Sequence, residues 1–191
     1  KEGTYVKEES PVEQAVITGI AHDTSEMKVT IRHVPDTTGV AAKVFSALAG
    51  NMVNMDMIIQ NTSLDGATDI SFTCPASDLP RAKEALAGVM DEIGAAGIDV
   101  DEDVAKVSLV GTGMKSTPGV SAKAFRTMGE NNINILAIST SPIRLSMVIE
   151  AHEAQRAVQV LHTAFDLDAD SVFEETQLSA EEIADKMKKG R

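Results

Sequence analysis

The sequence predicts an α+β fold in which two similar units follow one another, each with a four-stranded antiparallel sheet and two helices on one face. Two observations lead to this prediction. The stretch GVAAKVFSAL (residues 39–48) returns as GVSAKAFRTM (residues 119–128), 80 residues further along the chain. Around both copies, segments of period-two apolar alternation are interleaved with segments of helical periodicity. A repeat of this length in 191 residues favours two small domains.

The first unit is predicted to run strand, helix, strand, strand, helix, strand. KVTIRHV alternates apolar and polar residues, and the turn PDTTG leads into a helix with the apolar stripe Val40, Val44 and Leu48. The Asp-Gly pair within SLDGATD indicates a hairpin between the second and third strands. The predicted strands are residues 28–34, 52–60, 70–74 and 98–100, and the helices are residues 40–48 and 81–93.

The second unit repeats this order, with one strand in an unusual place. Its predicted strands are residues 106–110, 133–138 and 143–149, and its helices are residues 120–128 and 154–165. The alternating stretch AVITGIAH (residues 15–22) precedes the first unit, whereas only the short stretch 171–173 follows the last helix. We therefore expect the early strand to complete the second sheet, which gives two split βαβ, ferredoxin-like βαββαβ domains.

The domain boundaries follow from this assignment. Domain one is predicted to comprise residues 27–103, and domain two is predicted to be discontinuous, with domain one inserted in it. Ser179 and Glu182 form a capping box, which predicts a short helix in the C-terminal tail. The remaining boundaries are a linker over residues 1–14, domain two over residues 15–26 and 104–173, and the tail over residues 174–191.

Composition excludes several classes of function. There are 17 basic against 29 acidic residues, a net charge of −12, so the chain lacks the basic footprint of a nucleic-acid-binding protein and would be repelled by an anionic membrane. No apolar run approaches the ~18 residues of a membrane span, and the charged N-terminus is unlike a signal peptide. We expect a cytoplasmic protein. The single cysteine, Cys74, alternates with Ile70 and Phe72, which predicts a core thiol.

No motif indicates catalysis or a metal. GTGMKST lacks the glycine spacing of a phosphate loop, and DVDED lacks the glycine and the final glutamate of a calcium loop. The four histidines show no ligand spacing, and the hydroxyl cluster over residues 139–141 has no base nearby. We therefore expect no catalytic residue, metal site or cofactor.

The repeated turn is the strongest candidate binding feature. Residues 36–39 and 116–119 each lead from a first strand into a helix, whose start offers free N–H groups and a partial positive charge to a carboxylate. Asn54 and Asn134 lie at equal distances from the two glycines, and backbone carbonyls of the strand beside the turn are available to an α-amino group. A free amino acid satisfies both halves. A plain capped turn is the alternative.

Longer stretches resemble one known family. HDTSEMKVTIRHVPDTTGVAAKVFSALA, VNMDMIIQN, TDISFTCP and AKVSLVGTGMKSTPGVSAKAF are similar to the C-terminal regulatory region of aspartokinase, which is also the small β subunit of the heterotetrameric kind. The resemblance implies two ACT domains that bind L-threonine and L-lysine as end-product inhibitors. GTYV resembles the end of the kinase domain, so residues 1–14 are expected to be the linker from that domain, which would bind ATP and Mg²⁺.

The resemblance also implies the residues of two effector sites. Threonine is expected between the first ACT domain and a second one, on Asp36, Gly39, Ala41 and Gln60 with Asn134 and Ile135 opposite. A lysine-like site is expected on Val53, Asn54 and Asp56 with Ser121 and Ser141 opposite. Ser63 and Ser71 fall where changes relieve inhibition in the family. The implied partners are a second copy of the chain and the catalytic domain or α subunit.

The chain departs from the family near the second site. The family usually reads ISTSEIRIS where this chain reads ISTSPIRLS, so Pro142 replaces a glutamate, and Leu136 replaces another. Both losses argue against lysine, whereas Asp56 is retained. Two alternatives remain: a dimerisation scaffold with degenerate effector sites, and a standalone enzyme, which the lack of a nucleophile–base pair disfavours.

Overall fold

The structure is a computed structural model that describes residues 16–61 and 66–167. The predicted linker, the tail, the stretch 171–173 and Ser63 lie outside these residues. The strands are β1 Gly19–Asp23, β2 Glu26–Pro35, β3 Ile58–Gln60, β4 Ala67–Pro75, β5 Gly97–Asp101, β6 Val104–Val110, β7 Ala137–Ser141 and β8 Arg144–Glu150. The helices are α1 Val40–Gly50, α2 Leu79–Ala87, α3 Met90–Ile93, α4 Val120–Glu130 and α5 Ala154–Ala164.

The strands form two four-stranded antiparallel sheets. The first has the order β3-β4-β2-β5 and the second the order β1-β6-β8-β7. Strand β1 pairs with β6, with Gly19 opposite Val110 and Asp23 opposite Lys106. The strand that precedes the first unit therefore lies at the edge of the second sheet. The two sheets with their helices confirm the predicted α+β, ferredoxin-like fold class.

Each sheet packs its apolar face against its own helices. In the first unit Val29, Ile31, Ile70 and Phe72 are buried together with the α1 stripe. In the second unit the buried set is Val107, Leu109, Leu145, Met147, Ala124, Met128 and Leu161. Full burial of such a side chain contributes about 1.5–3 kcal/mol relative to its exposure, so these two cores account for the local stability of each unit.

A third apolar cluster joins the two units. Met57 of the first unit packs with Val104 and Val148 of the second. The half-buried side chains around them are Ile59, Leu136 and Ala137. Because Val148 points away from the helices of its own unit, this cluster explains why both faces of β8 are buried.

Two predicted strands begin later than expected. The strand predicted from residue 52 begins at Ile58, and the one predicted from residue 133 begins at Ala137. In each unit an apolar residue that follows the helix is hydrogen-bonded to the last turn of that helix. The N–H of Val53 donates to the Leu48 carbonyl (3.1 Å), and that of Ile133 donates to the carbonyl of Met128 (2.9 Å). Such bonds close a helix C-terminus.

Two further predictions need correction, and one is confirmed. The helix predicted over residues 81–93 is divided, because α2 ends at Ala87 and α3 begins at Met90. The strand predicted from residue 143 begins one residue later, at Arg144, and Ile143 before it is 56% exposed. Cys74 is fully buried as predicted, and burial raises the pKa of its thiol to about 11. Among the described helices, none combines the length and apolar character that a bilayer span requires.

Candidate functional site

The two helix-starting turns have the same backbone geometry. Gly39 has φ 94° before α1, and Gly119 has φ 93° before α4. This left-handed conformation favours glycine. Neither helix receives a side-chain cap, so N–H groups of its first turn remain available to a ligand. Ala41 and Ser121 occupy equivalent positions in these first turns.

Four of the six residues predicted for threonine lie at one end of the first sheet. Asp36 is exposed directly after β2, and its N–H donates to the carbonyl of Gly66 (2.9 Å). Gly39 and Ala41 follow at the start of α1. Gln60 is exposed at the end of the edge strand β3, opposite Ile70 of β4. Since β2 and β3 both pair antiparallel with β4, these residues share the sheet end at which β4 begins.

The other two residues predicted for threonine belong to the second unit. Asn134 is exposed in the segment before β7, and Ile135 is half-buried against the second core. Within residues 16–61 and 66–167, no hydrogen bond or ion pair joins Asn134 or Ile135 to Asp36 or Gln60. The structure therefore places the two halves of this predicted site on different units.

A cavity between the units corresponds to part of the predicted second site. Its volume is about 140 Å³, and it brings together Asp56 and Ser141, two of the residues predicted there. Its lining residues are Asp56 and Met57 of the first unit and Ser139, Thr140, Ser141, Arg144 and Ser146 of the second. The other three predicted residues do not line it: Val53 is buried in the first core, Asn54 is exposed, and Ser121 is half-buried on α4.

Lys106 of β6 connects the second unit to two acids of the first. Its ammonium nitrogen lies 2.7 Å from Oδ2 of Asp56 and also donates a hydrogen bond to Oε1 of Glu26. Burial opposes the charge on Lys106, but the hydrogen bonds to Asp56 and Glu26 outweigh it and raise the pKa of the ammonium. Oε2 of Glu26 is buried without a hydrogen-bond partner. Asp56, the one acid among the described residues that line the cavity, is thus already paired.

Asp78 fixes the segment that carries Asn54. It is buried immediately before α2, and its Oδ2 accepts the backbone N–H of Asn54 at 3.0 Å. Arg81 and Ser77 donate to its Oδ1. The hydrogen bond from Asn54 is the main reason that the pKa of Asp78 is lowered. Asp78 therefore stays ionised at neutral pH and holds this segment against the first unit.

Two other polar features lie outside the cavity between the units. Ser71, which the family resemblance marks as a position where changes relieve inhibition, is half-buried on β4. Its Oγ lies 2.9 Å from Oγ1 of Thr30. Asp103, Glu150 and His152 are exposed and bring potential metal-ligand atoms within 4.8 Å of one another. Sequence spacing did not reveal this group because Asp103 lies directly before β6, whose first residue, Val104, pairs with Glu150 far along the chain.

Sequence reasoning missed Lys106, Glu26, Arg144 and Asp78 as candidate site residues. Lys106 occupies a polar position between the buried Ala105 and Val107, which was compatible with an ordinary solvated strand face. Its partner Asp56 lies 50 residues away in the chain. The only sequence signal was indirect: one face of each sheet lacked a predicted cover, so polar side chains on that face had to meet a neighbouring element.

Comparison with known proteins supports a single family. The ACT domain family matches residues 20–89 and 107–165, which is more than half of the chain. The aspartokinase of Mycolicibacterium smegmatis is 49% identical over 89% of this chain, and the aspartokinase of Corynebacterium efficiens is 47% identical over 85%. The chain spans only 42% and 39% of the lengths of these relatives.

Solved structures agree with these relatives. A structure of aspartokinase alpha and beta subunits has a TM-score of 0.74 at 47% identity, covering 78% of this chain and 99% of that one. The ligand-free regulatory subunit of aspartate kinase from Thermus thermophilus has a TM-score of 0.75 at 39% identity, with the same coverage. Together with the two sheets and their helices, these similarities show that the chain belongs to the ACT domain family and is the regulatory ACT region of an aspartokinase.

Proposed function

We propose that this regulatory region binds L-threonine and thereby inhibits phosphorylation of aspartate by the kinase domain of the same enzyme. The proposal rests on the groups that meet at the end of the first sheet where β4 begins. There the uncapped start of α1 is available to an α-carboxylate. Asp36 and Gln60 are exposed at the same sheet end and provide polar partners for the ammonium and hydroxyl groups.

A second copy of the chain would complete the site. Strands β3 and β7 are sheet edges, and they expose Ile58 (50%) and Ile138 (42%). An unpaired apolar edge is a ready surface for association. Pairing of the first unit of one copy with the second unit of another would set Asn134 and Ile135 opposite Asp36 and Gln60. Threonine would then stabilise the dimer.

The regulatory effect would be a coupling between this dimer and the kinase domain. A coupling free energy of about 1–3 kcal/mol corresponds to ~5–150-fold inhibition. The catalytic partner, as a domain or an α subunit, would hold ATP and Mg²⁺, and this chain would phosphorylate nothing itself. We propose that the assembly acts in the cytoplasm on the first step of the aspartate-family amino acid pathway, without nucleic acid or membrane partners.

A scaffold function is the second candidate. Asp56, the acid retained at the predicted lysine-like site, is engaged by Lys106, and Pro142 carries no charge. These observations favour a second site that does not respond to lysine, and they leave open a region that only holds the subunits together. Titration with L-threonine separates the two functions.

Calorimetric titration with L-threonine tests the proposal. We expect saturable heat from the unmodified chain, at least ten-fold weaker binding in Asp36→Ala and in Asn134→Ala, and no change in Asp91→Ala, which removes an exposed acid of α3. Normal binding by Asp36→Ala would refute the site. Dimerisation without any response to threonine would support the scaffold.

A further inference from the structure

The cavity between the two units has few charged groups. Among its lining residues there is one carboxylate, on Asp56, and one guanidinium, on Arg144. The other polar groups are the hydroxyls of Ser139, Thr140, Ser141 and Ser146. Its volume of about 140 Å³ is below the ~300–1,000 Å³ of pockets for drug-sized ligands, so it suits a small polar molecule.

The carboxylate of Asp56 is not free to receive a ligand cation. Lys106 lies 2.7 Å from it and is also bound to Glu26, whose side chain is only 10% exposed. Displacement of Lys106 by a ligand would leave Glu26 buried without its counter-ion, and an unpaired buried charge is costly. The 2.7 Å contact with Asp56 and the hydrogen bond to Glu26 therefore place the ammonium of Lys106 in the cation position beside Asp56.

The guanidinium of Arg144, in contrast, is available. Its side chain is exposed, and no carboxylate within the described part of the chain pairs with it. A guanidinium offers a planar fork of donors that fits a carboxylate. The neighbouring hydroxyls accept hydrogen bonds from an ammonium group, and with a ligand hydroxyl they either donate or accept. A ligand with a second cationic group would meet Arg144, and among the described lining residues it would find one acid, Asp56, which is already paired with Lys106.

We propose that Lys106 sets the specificity of this cavity: by pairing with Asp56 it excludes amino acids with a cationic side chain and restricts the cavity to small amino acids with an uncharged side chain, anchored by Arg144. This inference rests on the proposed amino-acid-binding function and adds the class of ligand at the second site.

The first test removes the charge of Lys106 together with that of Glu26, the buried acid that Lys106 neutralises. In the variant Lys106→Met with Glu26→Gln, Asp56 becomes free and no buried acid is left unpaired. We expect the affinity for L-lysine, measured by calorimetry, to rise at least ten-fold over the unmodified chain, with threonine binding at the first site unchanged. Lys28→Met, which removes a lysine paired with Asp101 away from the cavity, is the matched control and should gain no lysine binding.

A second variant keeps the proposal testable if the double variant does not fold. Asp56 is 44% exposed, so Asp56→Asn should fold normally. It removes the one carboxylate among the lining residues and leaves Arg144 there as the charged group, while Lys106 keeps its ion pair with Glu26. We expect the affinity for L-aspartate to rise at least ten-fold. The control is Asp91→Asn, which should not change it.

The outcomes distinguish this proposal from the proposed function. Unchanged lysine affinity in a folded double variant, unchanged aspartate affinity in Asp56→Asn, or lysine binding by the unmodified chain as tight as threonine binding would each overturn the role of Lys106. A gain of lysine binding with no threonine binding in any variant would support Lys106 and refute the threonine site. Silence from every protein with every amino acid would refute both.

Discussion

The carboxylate of Asp78 accepts the backbone N–H of Asn54, with 3.0 Å between Oδ2 and N. The equivalent acid in the second unit, Glu153, accepts no hydrogen bond from a backbone N–H within the described part of the chain. It pairs with Arg156 at 3.1 Å, and Arg156 donates to the carbonyl of Asn131 instead. The segment after the first helix is therefore held by a buried charge in one unit and, in the other, by a relay of the half-buried Glu153 and the exposed Arg156.

This difference predicts an acid-sensitive contribution from Asp78. Its pKa is lowered from the ordinary value of 3.8, chiefly by the hydrogen bond from Asn54. The stabilisation is therefore complete above pH 3.8 and is lost as the pH falls through the lower folded-state pKa. Asp78→Asn should lower the urea midpoint at pH 6, and its deficit relative to the unmodified chain should shrink below pH 3.8.

Urea unfolding curves at a series of pH values between about 2.5 and 6 measure this effect. Asp91→Asn serves as the control, because Asp91 is exposed. The unmodified chain and Asp78→Asn will both retain the acid dependence that Asp23 contributes, since Ser25 lowers the pKa of Asp23 in both. A deficit that is constant across the whole range would show that the charge of Asp78 plays no part.

The thiol of Cys74 should be unreactive in the folded protein. Burial is the main cause of its raised pKa, about 11, and the nearby acids Asp78 and Glu26 add to it. Since the thiolate is the nucleophile, a disulfide reagent at pH 8 should modify Cys74 only as fast as the first unit opens. Complete reaction should follow at once in denaturant. Rapid stoichiometric modification of the native chain would contradict the buried placement.

Leu48 and Met128 occupy equivalent places in the two copies of the repeat, and both are fully buried. Truncation of either to alanine should lower the free energy of unfolding by about 2–5 kcal/mol, because such cavities relax only in part. Met52→Ala is the control: Met52 is 74% exposed, and a surface change of this kind should stay within about 0.5 kcal/mol. Urea unfolding of the three variants provides the measurement, and a small loss for only one core variant would mean that the two cores are not equivalent.

The sequence was a good guide where burial follows a local period. The stripe Val40, Val44 and Leu48 and the alternation of Ile70, Phe72 and Cys74 are buried as expected. Val53 and Ile133 misled the strand assignment because an apolar residue that closes a helix is indistinguishable, by period alone, from the first residue of a strand.

The candidate site was less accessible to such reasoning. The two helix starts could be located from the repeated glycines, and the juxtaposition of Asp56 with Ser141 followed from the family resemblance. Lys106 and Asp78 could not be assigned, because their roles depend on partners that only the tertiary fold brings near. A charged residue in a strand or before a helix looks the same whether its partner is water or a buried acid.

The variant Gly39→Ala tests whether the backbone conformation at the start of α1 matters for both stability and threonine binding. Its φ of 94° is strained for any residue with a Cβ, although a Cβ there would meet no atom within 4 Å. Gly39→Ala should therefore cost about 1–2 kcal/mol of stability through backbone strain alone, and it should weaken threonine binding by displacing the first-turn N–H groups.

Gly50→Ala is the matched control, since Gly50 also has open space around it and ends the same helix without a positive φ. That change should leave threonine binding intact and leave stability equal or higher by about 0.5–1 kcal/mol, because alanine favours a helix more than glycine does. Urea unfolding and calorimetry on the two variants separate the effects: equal stability of both would remove the strain argument, and intact threonine binding in a destabilised Gly39→Ala would move the carboxylate away from this helix start.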